Sequence, residues 1–420
     1  MIRTSIIPCK LNREHADALN LASGRIYSGI VSRHWRLLAQ KNLWLSEKSL
    51  TKLSDMRLAN KNIPMHAHTI DAAQQGFFKA CQTTRGLRKA GVTDARFPYQ
   101  PKRYRTTVWK NTGIKFKNGR LELSTGRGNP QISIDLPDSM RSALRFIEVR
   151  LVYDKKANRY NWHIVVENGI KPKVASGTNT VSVDPGEIHP AVIGDEYSAT
   201  VITCRERRSI QRGHAKNLAS FSKKLSRKKK GSIRYKKLLR AKSRCKGKYD
   251  RVLRDMEHKI SHAIVDEAVK RNASTIVYGD VRDIADGINM GAAHNQRISQ
   301  WDHGKVRAYT EYKAEAEGIG VELQDESCTS RTCPNCGSRH KPRGRVYKCP
   351  TCKFQSPRDV VGQVNILSAY KFGEPGEIPA PTIVKYREPY SIRSTRKCRG
   401  TGQDASPVAR GSTLREAAGL

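Results

Sequence analysis

The chain has 420 residues, with 78 Lys and Arg against 38 Asp and Glu, a net charge of +40 and 37% hydrophobic residues. That length exceeds one ordinary domain. The charge argues against an enzyme that acts only on small molecules and points to a polyanion, nucleic acid by default.

Residues 2–9 read as one short strand. A helical stretch begins at Asn12, with Ala16, Leu19, Ile26, Ile30 and Leu38 near helical spacing. Asn62-Ile63-Pro64 breaks the pattern, and a further helix covers 68–83. From Phe97 the texture changes to period-two alternation over 106–109, 114–117, 121–124 and 132–135, with Asn118-Gly119 as a hairpin turn. A second hairpin pairs 147–153 with 160–166. Together these strands make an antiparallel sheet or small barrel, which the N-terminal strand can join, leaving the helices as an insertion. Lys102, Arg103 and Arg105 stand among Tyr99, Tyr104 and Trp109. Basic and aromatic residues mixed in this way suit backbone contact and base stacking, and an ordinary solvated sheet face has the same composition.

Residues 171–180 form a linker, and then comes Val181-Ser-Val-Asp184-Pro-Gly186. Val181 and Val183 share one face, so Ser182 and Asp184 share the other, and Asp184 ends the strand. Two further strand-like pieces follow, 191–193 and 199–203. A three-strand meander whose first strand ends in Asp is how a ribonuclease-H-like nuclease domain opens; alone, the Asp-Pro-Gly step is also simply a turn. Residues 205–254 carry 21 Lys or Arg against Glu206 and Asp250. They read as two long basic helices joined near Lys230-Gly231. Such a run repels itself unless phosphates neutralise it. Arg227, Lys228, Lys229, Lys230, Lys236, Lys237 and Arg240 are therefore expected to contact nucleic acid through charge rather than sequence. An amphipathic helix follows (Met256, Ile260, Ala263, Ile264, Ala268), then a buried strand at 274–281, a polar loop at 283–294, a helix at 301–316 and a strand at 319–323.

The most specific local pattern is Cys333, Cys336, Cys349 and Cys352, spaced C-x2-C-x12-C-x2-C. Four thiolates spaced like this suit a closed, tetrahedral, structural zinc site. The other six cysteines show no disulfide framework, which fits a reducing compartment. The zinc insert is flanked by acids, Asp325-Glu326 before it and Arg358-Asp359 after it, and the latter opens an apolar helix to about residue 370. The segment 374–420 is rich in Pro, Gly, Ser and Arg and is expected to be a disordered basic tail. No apolar run is long enough to span a bilayer, and MIRTSIIPCK lacks the apolar region of a signal peptide. A cytoplasmic protein without a membrane partner, nucleoid-associated in action, is expected.

Together these elements resemble the TnpB family, transposon-encoded RNA-guided DNA nucleases related to the compact type V CRISPR effectors. The resemblance rests on Asp184-Pro-Gly186, Ile276-Val-Tyr-Gly-Asp-Val281, Thr329-Ser330-x2-Cys333-Pro-x-Cys336-Gly337, Cys349-Pro-x-Cys352 and Arg358-Asp359-x5-Asn365-Ile366. It implies an α+β multidomain architecture. A β-barrel wedge at 1–10 and 96–170 is interrupted by a helical recognition lobe at 11–95. A RuvC, ribonuclease-H-like α/β nuclease domain follows at 175–327 and 355–372, and a zinc ribbon that binds target nucleic acid is inserted at 328–354. The resemblance also implies a guide RNA and a target DNA as partners, Zn2+ in the ribbon, catalytic Mg2+ (two ions), and a short motif beside the target read by the N-terminal half. A monomer is expected.

One position departs from the family pattern. Members usually carry a catalytic Glu at the end of the 274–279 strand, where this chain has Gly279 followed by Asp280. A RuvC site needs at least three carboxylates to hold divalent cations near an octahedral oxygen environment. Asp280 serves, or the protein is inactive, or another carboxylate replaces the missing one. In a ribonuclease-H-like sheet the 319–324 strand lies beside 274–279 and ends at the same edge. That favours Glu326 as the third acid beside Asp184 and Asp359, an arrangement known in branches of the wider family, eukaryotic relatives included. Two other functions stay open: a nuclease-inactive RNA-guided DNA-binding protein acting as a repressor or targeting factor, and a basic zinc-ribbon protein that binds nucleic acid structurally. The last expects Asp184 and Asp359 to lie far apart.

Overall fold

The computed structural model describes residues 2–47, 65–126, 128–169, 171–175, 177–282, 284 and 289–389. The break expected at 62–64 and most of the expected tail lie outside them. The chain divides into two units, Met1–Ile170 and Lys171–Leu420. None of the described helices is long and apolar enough to cross a membrane.

In the first unit, strand β1 (Ile2–Pro8) precedes helices α1 (Arg13–Lys41) and α2 (Ala67–Lys89). The Asn12 side chain caps α1 by accepting from the Glu14 amide at 3.2 Å. Strands β2 (Thr107–Lys110), β3 (Ile114–Lys117), β4 (Arg120–Leu123) and β5 (Ile132–Asp135) follow. After the short helix α3 (Asp138–Arg141) come β6 (Arg145–Asp154) and β7 (Arg159–Glu167). Both expected hairpins form, β3 with β4 around Asn118-Gly119 and β6 with β7 in the register Asp154 to Arg159. β1 pairs antiparallel with β7, so the two helices are an insertion into the sheet. Among the described residues the strands hydrogen-bond into two sheets, β1-β7-β6-β2 and β3-β4-β5, rather than into one continuous ring. Arg103 and its neighbours are not on a strand. The segment 97–106 runs along α1, held by Trp35 Nε1 donating to Pro98 O, the Lys102 amide to Ser28 Oγ and the Arg105 amide to Asn20 O.

The second unit opens with the expected meander, β8 (Asn179–Asp184), β9 (Ala191–Gly194) and β10 (Ser198–Ile202). Helices α4 (Arg205–Ser226) and α5 (Ile233–Lys270) follow, and Ser232 caps α5. The amphipathic helix expected near Met256 is not separate, because nothing in 233–270 interrupts the helix and its apolar second half simply enters the core. Next come β11 (Ala273–Asp280), α6 (Ala292–Ser299), α7 (His303–Ala316) and β12 (Gly320–Asp325). A small hairpin, β13 (Val346–Lys348) with β14 (Gln355–Pro357), runs directly into α8 (Arg358–Phe372).

The main sheet has the order β12-β11-β8-β9-β10 with a sixth strand, β15 (Ile383–Arg387), outside β10. β11 and β12 run parallel to β8. Val181 and Val183 face α5, among Met256, Ile260 and Ile264, while Ser182 donates to Gln363 O of α8 at 2.7 Å. The sheet is thus sandwiched, with α5 and α7 on one face and α8 on the other.

β15 corrects the expectation of disorder from 374 onward. Ile378 is buried against Val364 and Leu367, and Val384 packs against Val192, Val201 and Val360. Arg387 donates to Glu267 Oε1 at 3.0 Å, Asp266 Oδ2 at 2.8 Å and Ala263 O at 3.2 Å. The strand is five residues long in a Pro-, Gly- and Arg-rich stretch, so no periodicity announced it. Arg387→Ala should lower the unfolding free energy by about 1–2 kcal/mol, read as a fall in the urea midpoint at unchanged slope; an unchanged midpoint means the edge strand is held by its backbone alone.

Candidate active site

Asp184 ends β8 where Pro185, lacking an amide donor, stops the ladder. The turn is closed tightly: a side chain at Gly186 would meet His189 O at 2.4 Å. Since Ser182 faces α8, so does Asp184, two residues on. Its carboxylate lies against the α8 backbone, where a Cβ on Gly362 would fall 2.5 Å from Oδ2. Asp359 stands in the first turn of α8, where the helix dipole favours an acid.

The decisive contact is at Gly279. β11 and β12 pair in parallel with Gly279 opposite Gln324. Glu326 follows just beyond the end of β12 and turns back over β11. A Cβ built on Gly279 would lie 1.9 Å from Glu326 Oε1. The glutamate therefore fills the space a side chain at 279 would enter. Ile366 of α8 closes that space from the other side, with Cδ1 at 2.9 Å from the same point.

The electrostatics follow from this crowding. Burial pushes the Asp184 carboxyl well above the usual range, and the charges of Glu326 and Asp359 push it further, against a smaller opposing effect of Arg358. Burial raises Glu326 to about 7, with Asp280 and Asp325 adding to it. Glu326 Oε1 is buried and has no hydrogen-bond partner among the described residues. Buried acids that repel one another, one with an orphaned oxygen, are a donor set a hard divalent cation fits. Asp280 is differently placed: Arg282 Nε donates to both its oxygens at 2.9 Å, and this holds its carboxyl below the usual range.

A cation and a histidine that sequence reasoning did not pick out border the acids. Arg345, just before β13, puts Nη1 3.5 Å from Asp359 Oδ2. His189 has its pKa lowered, chiefly by burial, with Asp359 opposing and Arg345 and Arg205 adding; its Nδ1 is buried without a partner. No spacing rule marks either residue, because their approach to Asp359 depends on how the β8–β9 turn and the β13–β14 hairpin fold.

The four cysteines converge, with all their sulfurs within 4.8 Å of one another. Cys333–Cys352 and Cys336–Cys349 are each 3.6 Å apart. A zinc ion bound at about 2.3 Å to four sulfurs implies edges of about 3.8 Å, so the cluster fits zinc. Each knuckle turns through a left-handed residue, Gly337 at φ 68° and Lys353 at φ 61°. Cys328 is not part of the group.

The expected nucleic-acid contacts divide. Arg227, Lys228, Lys229 and Lys230 form the exposed turn between α4 and α5, and Lys236, Lys237 and Arg240 line the exposed start of α5. His214 stacking on Tyr249 at 4.7 Å, and Asn217 Nδ2 donating to Tyr249 OH at 2.8 Å, hold this hairpin together. In the first unit Lys102 and Arg103 are exposed. Arg105 instead tucks over the Tyr27 ring at 5.2 Å and against Gly76 of α2, so it serves packing.

Two family models match the second half of the chain. One, described as a probable transposase, covers 163–285, and the other, the Cas12f1-like TNB domain, covers 303–366. TnpB-like protein MJ0751 of Methanocaldococcus jannaschii is 30% identical over 203 residues, which is 47% of this chain and 70% of that protein. The chain belongs to the TnpB family. This TnpB-family chain is also 30% identical over 112 residues to the CRISPR-associated endodeoxyribonuclease Cas12f1 of Sulfoacidibacillus thermotolerans, 26% of this chain and 25% of that protein. Its mixed α/β fold is similar to the protein in a cryo-EM structure of a Cas12f1-sgRNA-target DNA complex, with TM-score 0.59 and 13% identity, covering 84% of this chain and 83% of the other.

Folding raises the proton affinity of both buried acids, so between about pH 4.5 and about 7 the folded protein binds more protons than the unfolded chain. Stability without magnesium should therefore fall as pH rises through that window. Glu326→Gln should remove its share of that slope in melting curves recorded from about pH 5 to about pH 8 with zinc retained; an unchanged slope contradicts the buried placement of Glu326.

Proposed function

We propose that this TnpB-family protein is an RNA-guided DNA endonuclease whose metal-binding acids are Asp184, Glu326 and Asp359. The observation that carries the reading is the Glu326 carboxylate in the space above Gly279, 1.9 Å from where a side chain there would begin. The position that usually bears the family's glutamate is thus filled from the neighbouring strand, and the gap at 279 is no reason to infer inactivity. Magnesium bound by the three acids would activate water and stabilise the leaving oxygen of a phosphodiester.

The chain's own residues do the rest. Asp184, packed against α8, fixes one side of the acid set. Glu326 brings an unpartnered oxygen to it. Asp359 supplies the third carboxylate from a helix start, and Arg345 stands within 3.5 Å of it as a cation able to meet a phosphate oxygen. Arg282 holds Asp280 as an ion pair, leaving it outside the acid set.

Guide RNA and target DNA are the partners this reading assigns, supported by the +40 charge, the exposed basic turn between α4 and α5, and the family membership. It also assigns 1–10 and 96–170 to the wedge, 11–95 to target-adjacent recognition, 175–327 and 355–372 to the nuclease, and 328–354 to a zinc ribbon that helps hold the target. A guided binder that does not cut is the second reading, and the Glu326 carboxylate over Gly279 counts against it.

Cleavage of a matched plasmid by the protein with its guide RNA and magnesium tests this. Glu326→Ala should reduce cutting by about 100-fold or more, and Gly279→Ala by about 10–100-fold, both with DNA binding intact. Gly279→Glu placed in the Glu326→Ala background should recover part of the loss. Undiminished cutting by Glu326→Ala sinks the assignment of Glu326, and no cutting by the wild-type protein favours the guided binder.

A further inference from the structure

Asn365 lies fully buried on α8, six residues after Asp359. Its Nδ2 donates to two backbone carbonyls, Thr329 O at 2.6 Å and Thr332 O at 2.8 Å. Both belong to the turn that leaves Glu326 and enters the first zinc knuckle. Within that turn the Thr329 amide and hydroxyl both reach back to Glu326 O, at 3.2 and 2.9 Å. The Thr332 amide and hydroxyl do the same to Cys328 O, each at 3.1 Å. Thr329 and Thr332 are themselves buried. The turn is thus tied to itself at both ends and to α8 at its middle by one side-chain amide. The next residue on the helix, Ile366, walls the pocket that holds the Glu326 carboxylate.

We propose that Asn365 is a positioning residue that sets Glu326 relative to Asp359 through the Thr329–Thr332 turn. The inference rests on the acid set proposed above. Asn365 Oδ1 is buried without a partner among the described residues, so among them the amide is used only as a donor. An amide that merely anchored the zinc insert would be expected to bond the knuckles. Both carbonyls it takes instead precede Cys333, on the Glu326 side. Removing it leaves two buried carbonyls without their donor and frees the turn to shift by the few tenths of an ångström that metal ligation does not tolerate.

Asn365→Ala is compared with Ser368→Ala, which deletes two other hydrogen bonds of the same helix, Ser368 Oγ to Glu374 O at 2.7 Å and the Glu377 amide to Ser368 Oγ at 3.0 Å, and leaves the turn untouched. Full-length protein with guide RNA is assayed for zinc content, for the magnesium concentration giving half-maximal cleavage, and for amide hydrogen exchange over 326–332. For Asn365→Ala the account predicts retained zinc, a rise of about tenfold or more in the magnesium requirement, and faster exchange in the turn. For Ser368→Ala it predicts none of these. The proposal is overturned by a wild-type magnesium requirement or wild-type protection of the turn in Asn365→Ala, by loss of zinc in step with activity, or by the same magnesium shift in Ser368→Ala. Should the wild-type protein itself not cut, the nuclease reading fails, while the exchange measurement still decides whether Asn365 holds the turn.

Discussion

The space above the backbone of Gly279, near the end of β11, is taken up by a carboxylate. Glu326 enters it from the neighbouring strand, and Ile366 of α8 closes it from behind. A side chain at 279 would displace the Glu326 carboxylate from where it lies. On the proposed reading the glycine is the complement of the glutamate rather than a lost acid. The rest of the second unit follows from that contact. The parallel pairing of β11 and β12 sends both strand ends to one edge, and β8 delivers Asp184 to the same edge. Helix α8 lies across that face and brings Asp359, with its backbone at Gly362 pressed against Asp184.

The four-cysteine cluster belongs to the same geometry. About thirty residues separate Glu326 from Asp359 in sequence, and a loop of that length left unfolded would not fix the distance between them. The four cysteines close the insert into two knuckles, and β14 passes without a break into α8. Asn365 then fastens the near end of the insert to the helix that leaves its far end. Burial first, and like charge after it, raises the energy of the ionised acids, as the raised proton affinities of Asp184 and Glu326 express.

Much of this was legible in the sequence because it obeys local rules. Period-two alternation places Asp184 on the opposite face from Val181 and Val183. The cysteine spacing announces the zinc site, and the absence of a side chain at 279 directs attention to the next strand end. What the sequence left open has physical causes. Arg105 reads as surface charge but lies between α1 and α2 on the Tyr27 ring, because charge says nothing of burial. β15 is too short and too flanked by Pro and Gly for its pattern to emerge, and its place is fixed by Arg387 reaching Glu267 and Asp266 more than a hundred residues away. The first-unit strands carry barrel-like alternation, yet they close into two sheets, and alternation alone does not encode which edges meet. Arg345 and His189 were invisible for the same reason: their approach to Asp359 is tertiary.

The central claim concerns which carboxylates hold the metal. The most direct measurement is the anomalous scattering of manganese in crystals of the protein bound to guide RNA and a target DNA. The account predicts manganese ligated by Asp184, Glu326 and Asp359, with Asp280 still paired to Arg282. Manganese held by Asp280 with Glu326 turned away, or no manganese between Asp184 and Asp359, would contradict it.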